Sequence, residues 1–445
     1  MSRRSPKPLP WRIWLDSLVN YERTPGYDYR LDGFRRQLTA IGSPHLRLRN
    51  VILIAGTKGK GSTAAILNSC LMAHGYTVGL YTSPHLVAIN ERIRLDGRPI
   101  ADRELAGHIA AIRRYFSSRH RVGARTFFEA LTAVAFRHFA RHNTDFTILE
   151  VGLGGRRDAT NSCQAMIPVM TRIGYDHMNL LGRRLADIAY EKAGIMRRPA
   201  GWPRSAITIK QRPAVMKVLA AEARQTGYRL FRAEDRHRVT RKCLTLAGGK
   251  YRIDGELGRF TARLPLAGVQ HDENLALALA VLAELKKCGY PITIPQVVRG
   301  LSSVRLAGRF EVLRHRPLTI YDAAHNDDSF RALEQNLGLL KGRRLYFVFG
   351  CSNDKDIGYC LRHILPRGRE AILVKADHPR AMALSKICLR LSGSRIRVIA
   401  AGSVPEALAY CEARIRSSPA KPSAIVVFGS FYLYADVKKW LTNKK

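Results

Sequence analysis

A glycine-rich segment at residues 54–64, IAGTKGKGSTA, carries the residue types that can hold a phosphate group. It follows the apolar run VILI at 51–54 and opens a helical pattern that continues to Cys70. Between a strand and a helix, backbone N–H groups and the helix N-terminus face an anion, and Lys60 adds a positive charge. The spacing departs from the common P-loop, because only two residues separate the first glycine from the Gly-Lys pair and a glycine precedes Ser62. We interpret the segment as a phosphate site rather than a glycine-rich turn without a ligand.

Polar side chains follow four further apolar runs, where ligands bind in doubly wound sheets. Ser83 follows one run, Glu150 ends the run FTILEV, and His177 follows MIPVMTRI. A carboxylate in such a run is costly unless it is paired or metal-bound. Hydroxyl, carboxylate and imidazole would leave positions open for phosphate oxygens and water, which suits Mg²⁺. A plain Ser-Pro turn and a solvated loop histidine are the alternatives for Ser83 and His177, and the fourth place, DAAHN at 322–326, favours a ligand loop.

Strand-like apolar runs alternate with helical patterns along most of the chain, which predicts an α/β fold with a largely parallel sheet. The segment 301–309 is the predicted joint between a domain at 1–300 and a second at 301–445, and 228–262 forms a β-rich excursion. Strands are predicted at 51–55, 78–82, 146–151, 167–173, 318–321, 344–349, 371–375, 396–399 and 424–428, and helices at 62–73, 128–141, 274–287 and near 295–300.

The length and the cysteines limit the class of protein. A chain of 445 residues exceeds one ordinary core. No apolar stretch reaches the ~20 residues that span a bilayer, and the N-terminus lacks the apolar core of a secretory signal. The eight cysteines are scattered without a C-x-x-C pair, so we expect reduced thiols, a cytoplasmic location and no zinc site of that type.

The net charge of +39, from 74 Lys and Arg against 35 Asp and Glu, is extreme. Clustered cations would indicate a nucleic-acid surface. The basic residues are instead dispersed as short pairs, such as Arg35-Arg36 and Arg343-Arg344. We favour a protein from a basic proteome, or one whose ligands are polyanions.

Together these segments resemble the folylpolyglutamate synthase/dihydrofolate synthase family of the Mur ligase superfamily. The similarity runs from about residue 28 to the C-terminus. In chain order it includes GTKGKGST (56–63), TSPHLVAINERIR (82–94), TFFEALTAVAF (126–136), LEVGLGGRRDATN (149–161), YEKAGI (190–195), AGRFEVL (307–313), DAAHN (322–326), FGCSNDKD (349–356) and VVFGSFYL (426–433).

The resemblance implies an ATP-dependent amide ligase that adds L-glutamate to folates, to dihydropteroate, or to both. Its implied fold is an N-terminal P-loop ATPase domain with a mostly parallel sheet, followed by a smaller Rossmann-like α/β domain. ATP and Mg²⁺ are the implied cofactors, with a monovalent cation such as K⁺ left open, and a monomer is expected. The family's mechanism phosphorylates a carboxylate, and the amine of glutamate then attacks the acyl phosphate.

The resemblance also carries roles to individual residues. Lys60, Lys192 and His325 fall at catalytic positions, and Lys192 matches a lysine that the family carbamylates. Ser83, Glu150 and His177 match metal ligands. The other matched positions are Gly59, Lys60, Gly61, Ser62, Asn274, Arg309 and Asp322 for ATP, and Asp28, Phe128, Gly154, Gly155, Arg156 and Asp158 for the pterin substrate.

Departures from the family pattern leave two alternatives open. Gln270 and His271 exchange the usual order of Gln and His, and Ala323 replaces a common Gly. A relative that acts on another carboxylate acceptor is one alternative, and a nucleic-acid-associated protein on a degenerate ligase scaffold is the other. The intact phosphate loop, metal positions and Asp322 argue against degeneration.

Overall fold

A computed structural model describes residues 9–18, 31–116, 126–197, 204–353, 355–391, 396–418 and 421–443. They form two compact units. The first comprises the described residues up to Val239 with Ile253–Phe260 and Glu273–Gly300. The second comprises Thr240–Arg252, Thr261–Asp272 and the described residues from Leu301 onward. The chain therefore crosses between units several times within the predicted domain at 1–300.

The first unit is built on a sheet that has eight strands in the described residues. Their order is β4-β3-β2-β5-β1-β6-β7-β8, and pairing is parallel from β2 to β8 and antiparallel at β3 and β4. The strands are β1 (Val51–Ala55), β2 (Val78–Tyr81), β3 (Ile93–Leu95), β4 (Arg98–Pro99), β5 (Phe146–Glu150), β6 (Ile167–Met170), β7 (Ser205–Thr208) and β8 (Arg229–Arg232).

The central strands β2, β5, β1 and β6 are fully buried, which is why they read as continuous apolar runs. They are neighbours and run in the same direction. Their carboxyl ends therefore lie side by side at one edge of the sheet. The predicted polar positions that follow these strands share that edge.

The helices contribute the other buried residues of the two hydrophobic cores. Helix α5 begins at a capping box, in which the Thr126 hydroxyl accepts from the Glu129 N–H and the Glu129 carboxylate accepts from the Thr126 N–H. The helices are α1 (Pro10–Ser17), α2 (Leu31–Ala40), α3 (Lys60–Ala73), α4 (Asp102–Phe116), α5 (Phe127–Arg141), α6 (Met178–Leu181), α7 (Leu185–Ala193), α8 (Pro213–Thr226), α9 (Ala233–Arg236), α10 (His271–Lys287), α11 (Ile294–Ser302), α12 (Asp327–Leu337), α13 (Leu384–Leu391), α14 (Val404–Arg416) and α15 (Tyr434–Thr442).

A small antiparallel sheet follows the first large one along the chain. Its order is β11-β10-β9, with β9 (His237–Thr245), β10 (Gly248–Gly255) and β11 (Gly258–Leu264). The β-rich excursion predicted at 228–262 is confirmed, except that its first strand, β8, belongs to the first sheet. A sequence pattern marks strands but does not say which sheet a strand joins.

The second unit contains a sheet of order β12-β13-β17-β14-β15-β16. All pairs are parallel except the edge pair β12 and β13. Aromatic rings of Phe347, Phe349 and Phe428 pack together in its core. The strands are β12 (Glu311–His315), β13 (Leu318–Asp322), β14 (Arg344–Phe349), β15 (Glu370–Val374), β16 (Arg397–Gly402) and β17 (Ser423–Phe428).

The predicted α/β class, with a mostly parallel first sheet and a second C-terminal sheet, is confirmed. In the described part of the chain, no helix combines the length and apolar character needed to cross a membrane. All eight cysteines are free thiols.

Candidate active site

The glycine-rich loop joins β1 to the first turn of α3 in a backbone conformation that favours glycine. Gly56 and Gly59 have φ of 150° and 90°. A Cβ atom at Gly56 would overlap the Thr171 hydroxyl, and one at Gly59 would overlap the side-chain oxygen of Asn274. These glycines therefore let the loop pass close to its neighbours, and Gly59 caps α3 so that its free N–H groups face the loop.

Two lysines converge on one carbonyl of this loop. The Nζ atoms of Lys60 and Lys192 each lie 3.1 Å from the oxygen of Gly56. Lys192 comes from α7 and is only 4% exposed. Burial, reinforced by the neighbouring Lys60 ammonium, lowers the pKa of Lys192 to about 7 from 10.5. The loop therefore brings Lys60 next to a buried amine whose neutral form is favoured by burial.

The segment that follows β6 fixes the phosphate loop from one side. The Thr57 N–H donates to the carbonyl of Arg172 at 2.8 Å, and the Thr57 hydroxyl donates to the carbonyl of Gly174 at 3.1 Å. The Arg172 guanidinium pairs with the Glu273 carboxylate of α10. These bonds connect the loop, the end of β6 and the start of the helix that carries Asn274.

Glu150 and Ser83 meet on the other side of the loop. Glu150 ends β5, is 5% exposed, and accepts from the Ser83 N–H at 3.1 Å through Oε2. The same oxygen lies 3.4 Å from the place that a Cβ on Gly61 would occupy. The Glu150 carboxylate and the Ser83 hydroxyl are hard oxygen donors by type, and this donor set fits Mg²⁺.

His177 lies at the start of α6 with φ of 50° and a side chain 45% exposed. Its Nε2 lies 3.8 Å from an oxygen of Asp176. The strand order brings its segment to the same sheet edge as Glu150 and Ser83. Imidazole is a less typical Mg²⁺ ligand than carboxylate or hydroxyl, so Glu150 and Ser83 are the stronger part of this donor set.

The loop after Glu150 holds α7 in place. Gly155 packs directly on the last turn of that helix, because a Cβ there would lie 2.8 Å from the carbonyls of Glu191 and Lys192. The Arg156 N–H donates to the carbonyl of Glu191 at 2.7 Å. Gly154, with φ of 65°, makes the preceding turn. These contacts set the position of Lys192.

Two other predicted substrate residues, Phe128 and Asp158, shape the same loop. The ring of Phe128 lies against Gly152, where a Cβ would come within 2.6 Å of it. Asp158 accepts from the N–H groups of Gly152 and Leu153 through one oxygen, and from the N–H and hydroxyl of Thr160 through the other. These four bonds fill the acceptor positions of the carboxylate. Asp158 therefore organises the loop in this structure.

The Arg156 side chain is held by Glu222, at 2.7 Å, and its guanidinium stacks 3.9 Å from the ring centre of Tyr190. It is 29% exposed. Asp28, the remaining predicted substrate residue, lies outside the described residues.

The second unit brings together Asp322, Arg309 and His325 at the carboxyl ends of β13 and β17. Asp322 accepts from the N–H groups of Phe310 and Ala324 at 2.9 and 2.7 Å, which ties the segment before β12 to the loop after β13. The Arg309 guanidinium lies 5.0 Å from the centre of the Phe431 ring, and the His325 ring lies 5.2 Å from the same ring. His325 is oriented by a bond of 2.8 Å between Nδ1 and the carbonyl of Ala323.

Sequence reasoning missed Phe431 as a residue of this cluster. The signal was available, since the run SAIVVF followed by Gly-Ser-Phe places an aromatic residue directly past a buried strand. The exchanged residues Gln270 and His271 lie at the start of α10. Gln270 accepts from the Asn336 side chain at 3.0 Å, and burial lowers the pKa of His271 to about 4.

Comparisons with known proteins establish the family. The Mur ligase middle domain matches residues 54–282, and the Mur ligase glutamate ligase domain matches residues 308–431. Folylpolyglutamate synthase of Lacticaseibacillus casei is 31% identical over 442 residues, which cover 96% of this chain and 100% of the relative. The chain belongs to the folylpolyglutamate synthase family of Mur ligases.

Solved structures of folylpolyglutamate synthases have the same fold. The Mycobacterium tuberculosis enzyme complexed with ADP and AMPPCP superposes with a TM-score of 0.85 at 31% identity, covering 92% of this chain and 94% of that chain. Escherichia coli FolC in complex with DHPP and ADP gives a TM-score of 0.82 at 29% identity, covering 98% and 97%. The chain is an ATP-dependent ligase, as its folylpolyglutamate synthase relatives and both Mur ligase domains indicate.

Proposed function

We propose that this ligase joins L-glutamate to a folate, to dihydropteroate, or to both, through an acyl phosphate. The observation that carries the proposal is the phosphate loop, in which Lys60 and Lys192 meet at Gly56 while Glu150 lies against Gly61. This arrangement gathers the Lys60 cation, N–H donors and a metal-binding carboxylate where a transferring phosphate needs them. The DHPP complex of the Escherichia coli relative supports a pterin acceptor.

The chemistry follows from the poor reactivity of a carboxylate. An oxygen of the acceptor carboxylate attacks the terminal phosphorus of ATP, and the bond to the bridging oxygen breaks, which gives ADP and an acyl phosphate. The amine of L-glutamate then attacks the acyl carbon, loses a proton and expels phosphate, which forms the amide. Negative charge builds on phosphate oxygens in both steps, so fixed positive charge stabilises both transition states.

The loop residues Gly59, Lys60, Gly61 and Ser62 have the role of holding the phosphates. The N–H groups at the start of α3 donate to phosphate oxygens, and Lys60 neutralises charge. Glu150 and Ser83, with His177 as the third ligand assigned from the sequence, would hold Mg²⁺, which neutralises phosphate charge when bound. The Asn274 side chain packs against Gly59, so it would contribute to nucleotide binding by supporting this loop.

Lys192 has the role of presenting a carboxylate rather than an ammonium. Its neutral amine would add to CO₂ and release a proton, which gives a carbamate anion. The lowered pKa of Lys192 supports this role, because burial increases the share of neutral amine near neutral pH. An ordinary lysine ammonium is almost fully protonated at that pH and does not attack CO₂.

In the second unit, Arg309, Asp322 and His325 have the role of contacting the nucleotide. Arg309 can fork onto phosphate. Asp322 accepts from the two backbone N–H groups already described, and these bonds also shape the loops that carry Arg309 and His325. The Phe431 ring contacts both of those side chains.

The function is tested by incubating the protein with ATP, Mg²⁺ and L-glutamate, separately with dihydropteroate and with tetrahydrofolate. Mass spectrometry reads the products, and the Lys60→Ala variant serves as the control for contaminating activity. Products from both acceptors establish a bifunctional enzyme, and products from one establish which acceptor it uses. Failure of both acceptors, with ATP turnover intact on another carboxylate, would overturn the substrate assignment. Parallel reactions in K⁺ and Na⁺ test for a monovalent cation.

A further inference from the structure

A cluster of metal-ligating side chains lies on α4 and α5, away from the residues assigned to catalysis. It consists of Glu104 and His108 on α4, and His138 and His142 at the end of α5. Each helix contributes a pair at positions i and i+4, which lie on one face of a helix. The four side chains therefore face one another across the contact between the two helices.

The donor atoms of Glu104, His138 and His142 all lie within 4.8 Å of one another. The closest pair is His142 Nε2 and Glu104 Oε1, at 3.4 Å. Ligands at about 2.0–2.1 Å from a tetrahedral metal are roughly 3.3 Å apart. The pair already has this spacing, and the exposed side chains of Glu104 (44%) and His142 (35%) can rotate to bring the third donor into range.

His138 has the environment of an oriented ligand. It is 1% exposed, and its Nδ1 lies 3.4 Å from Nε2 of His108, which is 5% exposed. Metal-bound histidines commonly have their second nitrogen hydrogen-bonded in this way, which fixes the ring and its tautomer. His108 thus holds the His138 ring in place beside Glu104 and His142.

The charges around the cluster act on a cation in opposite directions. Arg137 and Arg141 oppose a cation, while the C-terminal end of α5 favours one.

We propose that Glu104, His138 and His142 bind a late first-row divalent metal of the Zn²⁺ class, with His108 as the positioning residue. Two imidazoles and one carboxylate select Zn²⁺ over Mg²⁺. Three protein ligands leave one position for water on the solvent side. The metal would link the first turn of α4 to the end of α5. Phe128, a predicted substrate residue, lies in the first turn of α5.

The test uses the full-length protein, freed of metal with EDTA and kept in excess Mg²⁺ to fill hard-cation sites. Zn²⁺ is titrated by calorimetry, and Co²⁺ is added as a spectroscopic probe, since its visible bands report nitrogen and oxygen ligands. The variants are His142→Gln and Glu104→Gln, both at exposed positions. His315→Gln, an exposed histidine on β12, is the matched control.

We expect one equivalent of Zn²⁺ to bind the wild type and His315→Gln alike, and to raise their melting temperatures. Each cluster variant should lose at least about tenfold in affinity, because even outer partners of metal ligands are worth about 10–100-fold. Equal affinity in His142→Gln and the wild type would overturn the proposal, as would the absence of saturable binding. The result does not depend on which acceptor the ligase uses.

Discussion

The buried ammonium of Lys192 should make the stability of this protein depend on pH in a way that one substitution removes. The unfolded chain binds this proton with a pKa of 10.5, and the folded protein binds it with a pKa of about 7. Burial of the charged form costs free energy in full below pH 7, and the cost disappears as pH rises toward 10.5, because the unfolded state binds more protons in this window. Stability therefore increases with pH.

The size of the effect follows from 1.36 kcal/mol per pKa unit. Between pH 7 and pH 10, a shift from 10.5 to about 7 corresponds to about 3 kcal/mol of unfolding free energy. The Lys192→Met variant fills a similar volume without charge, so it should lack this increase. Urea denaturation at a series of pH values in CO₂-free buffer measures the difference between variant and wild type.

The exposed lysine Lys341 is the matched control, since Lys341→Met removes an ammonium that stays in water in both states. We expect its pH dependence to follow that of the wild type. If Lys192→Met also follows the wild type across this window, the amine is not buried as a charged group and the reasoning is refuted.

Three other predictions concern the phosphate loop and its neighbours. Lys60→Ala should lower kcat by on the order of 10²–10³-fold with little change in stability toward urea. Wild-type turnover in this variant would show that the loop has no catalytic role. Gly59→Ala should lose ATP turnover and more than ~1–2 kcal/mol of stability, because its Cβ would overlap Asn274. Gly75→Ala is the control: at φ of 83° with open space around it, it should lose only the stability that a positive φ costs and should keep turnover. Equal losses in the two variants would contradict the proposed overlap with Asn274. Removing CO₂ should lower the activity of the wild type, and adding bicarbonate should restore it. The activity of Lys192→Met should not change with CO₂. A wild type whose activity does not depend on CO₂ would exclude the carbamate.

The sequence predicted the sheets well because their strands are buried on both faces. Runs such as VILI at 51–54 and AIVVF at 424–428 are continuous apolar segments, each followed within two residues by a glycine. In a parallel sheet those ends converge on one edge, so the sequence alone places Ser83, Glu150 and the glycine loop together. The family resemblance then supplied the roles.

The sequence could not predict arrangements that depend on packing between distant segments. The bond from Lys192 to Gly56 joins residues 136 positions apart, and no local pattern distinguishes this lysine from an exposed helical one. Asp158 matches a substrate position in sequence, and only the folded structure shows that both of its oxygens also accept hydrogen bonds from its own loop. The cluster of Glu104 with His138 and His142 was equally hidden, because it forms only when α4 and α5 meet.

The acyl phosphate is the central claim, and transfer of oxygen from the acceptor to phosphate tests it most directly. The acceptor carboxylate is labelled with ¹⁸O, and the phosphate released with ATP, Mg²⁺ and L-glutamate is analysed by mass spectrometry. We predict that one labelled oxygen appears in the phosphate for each amide formed, since the carboxylate oxygen leaves with the phosphoryl group. Unlabelled phosphate released alongside a full yield of amide would contradict the mechanism.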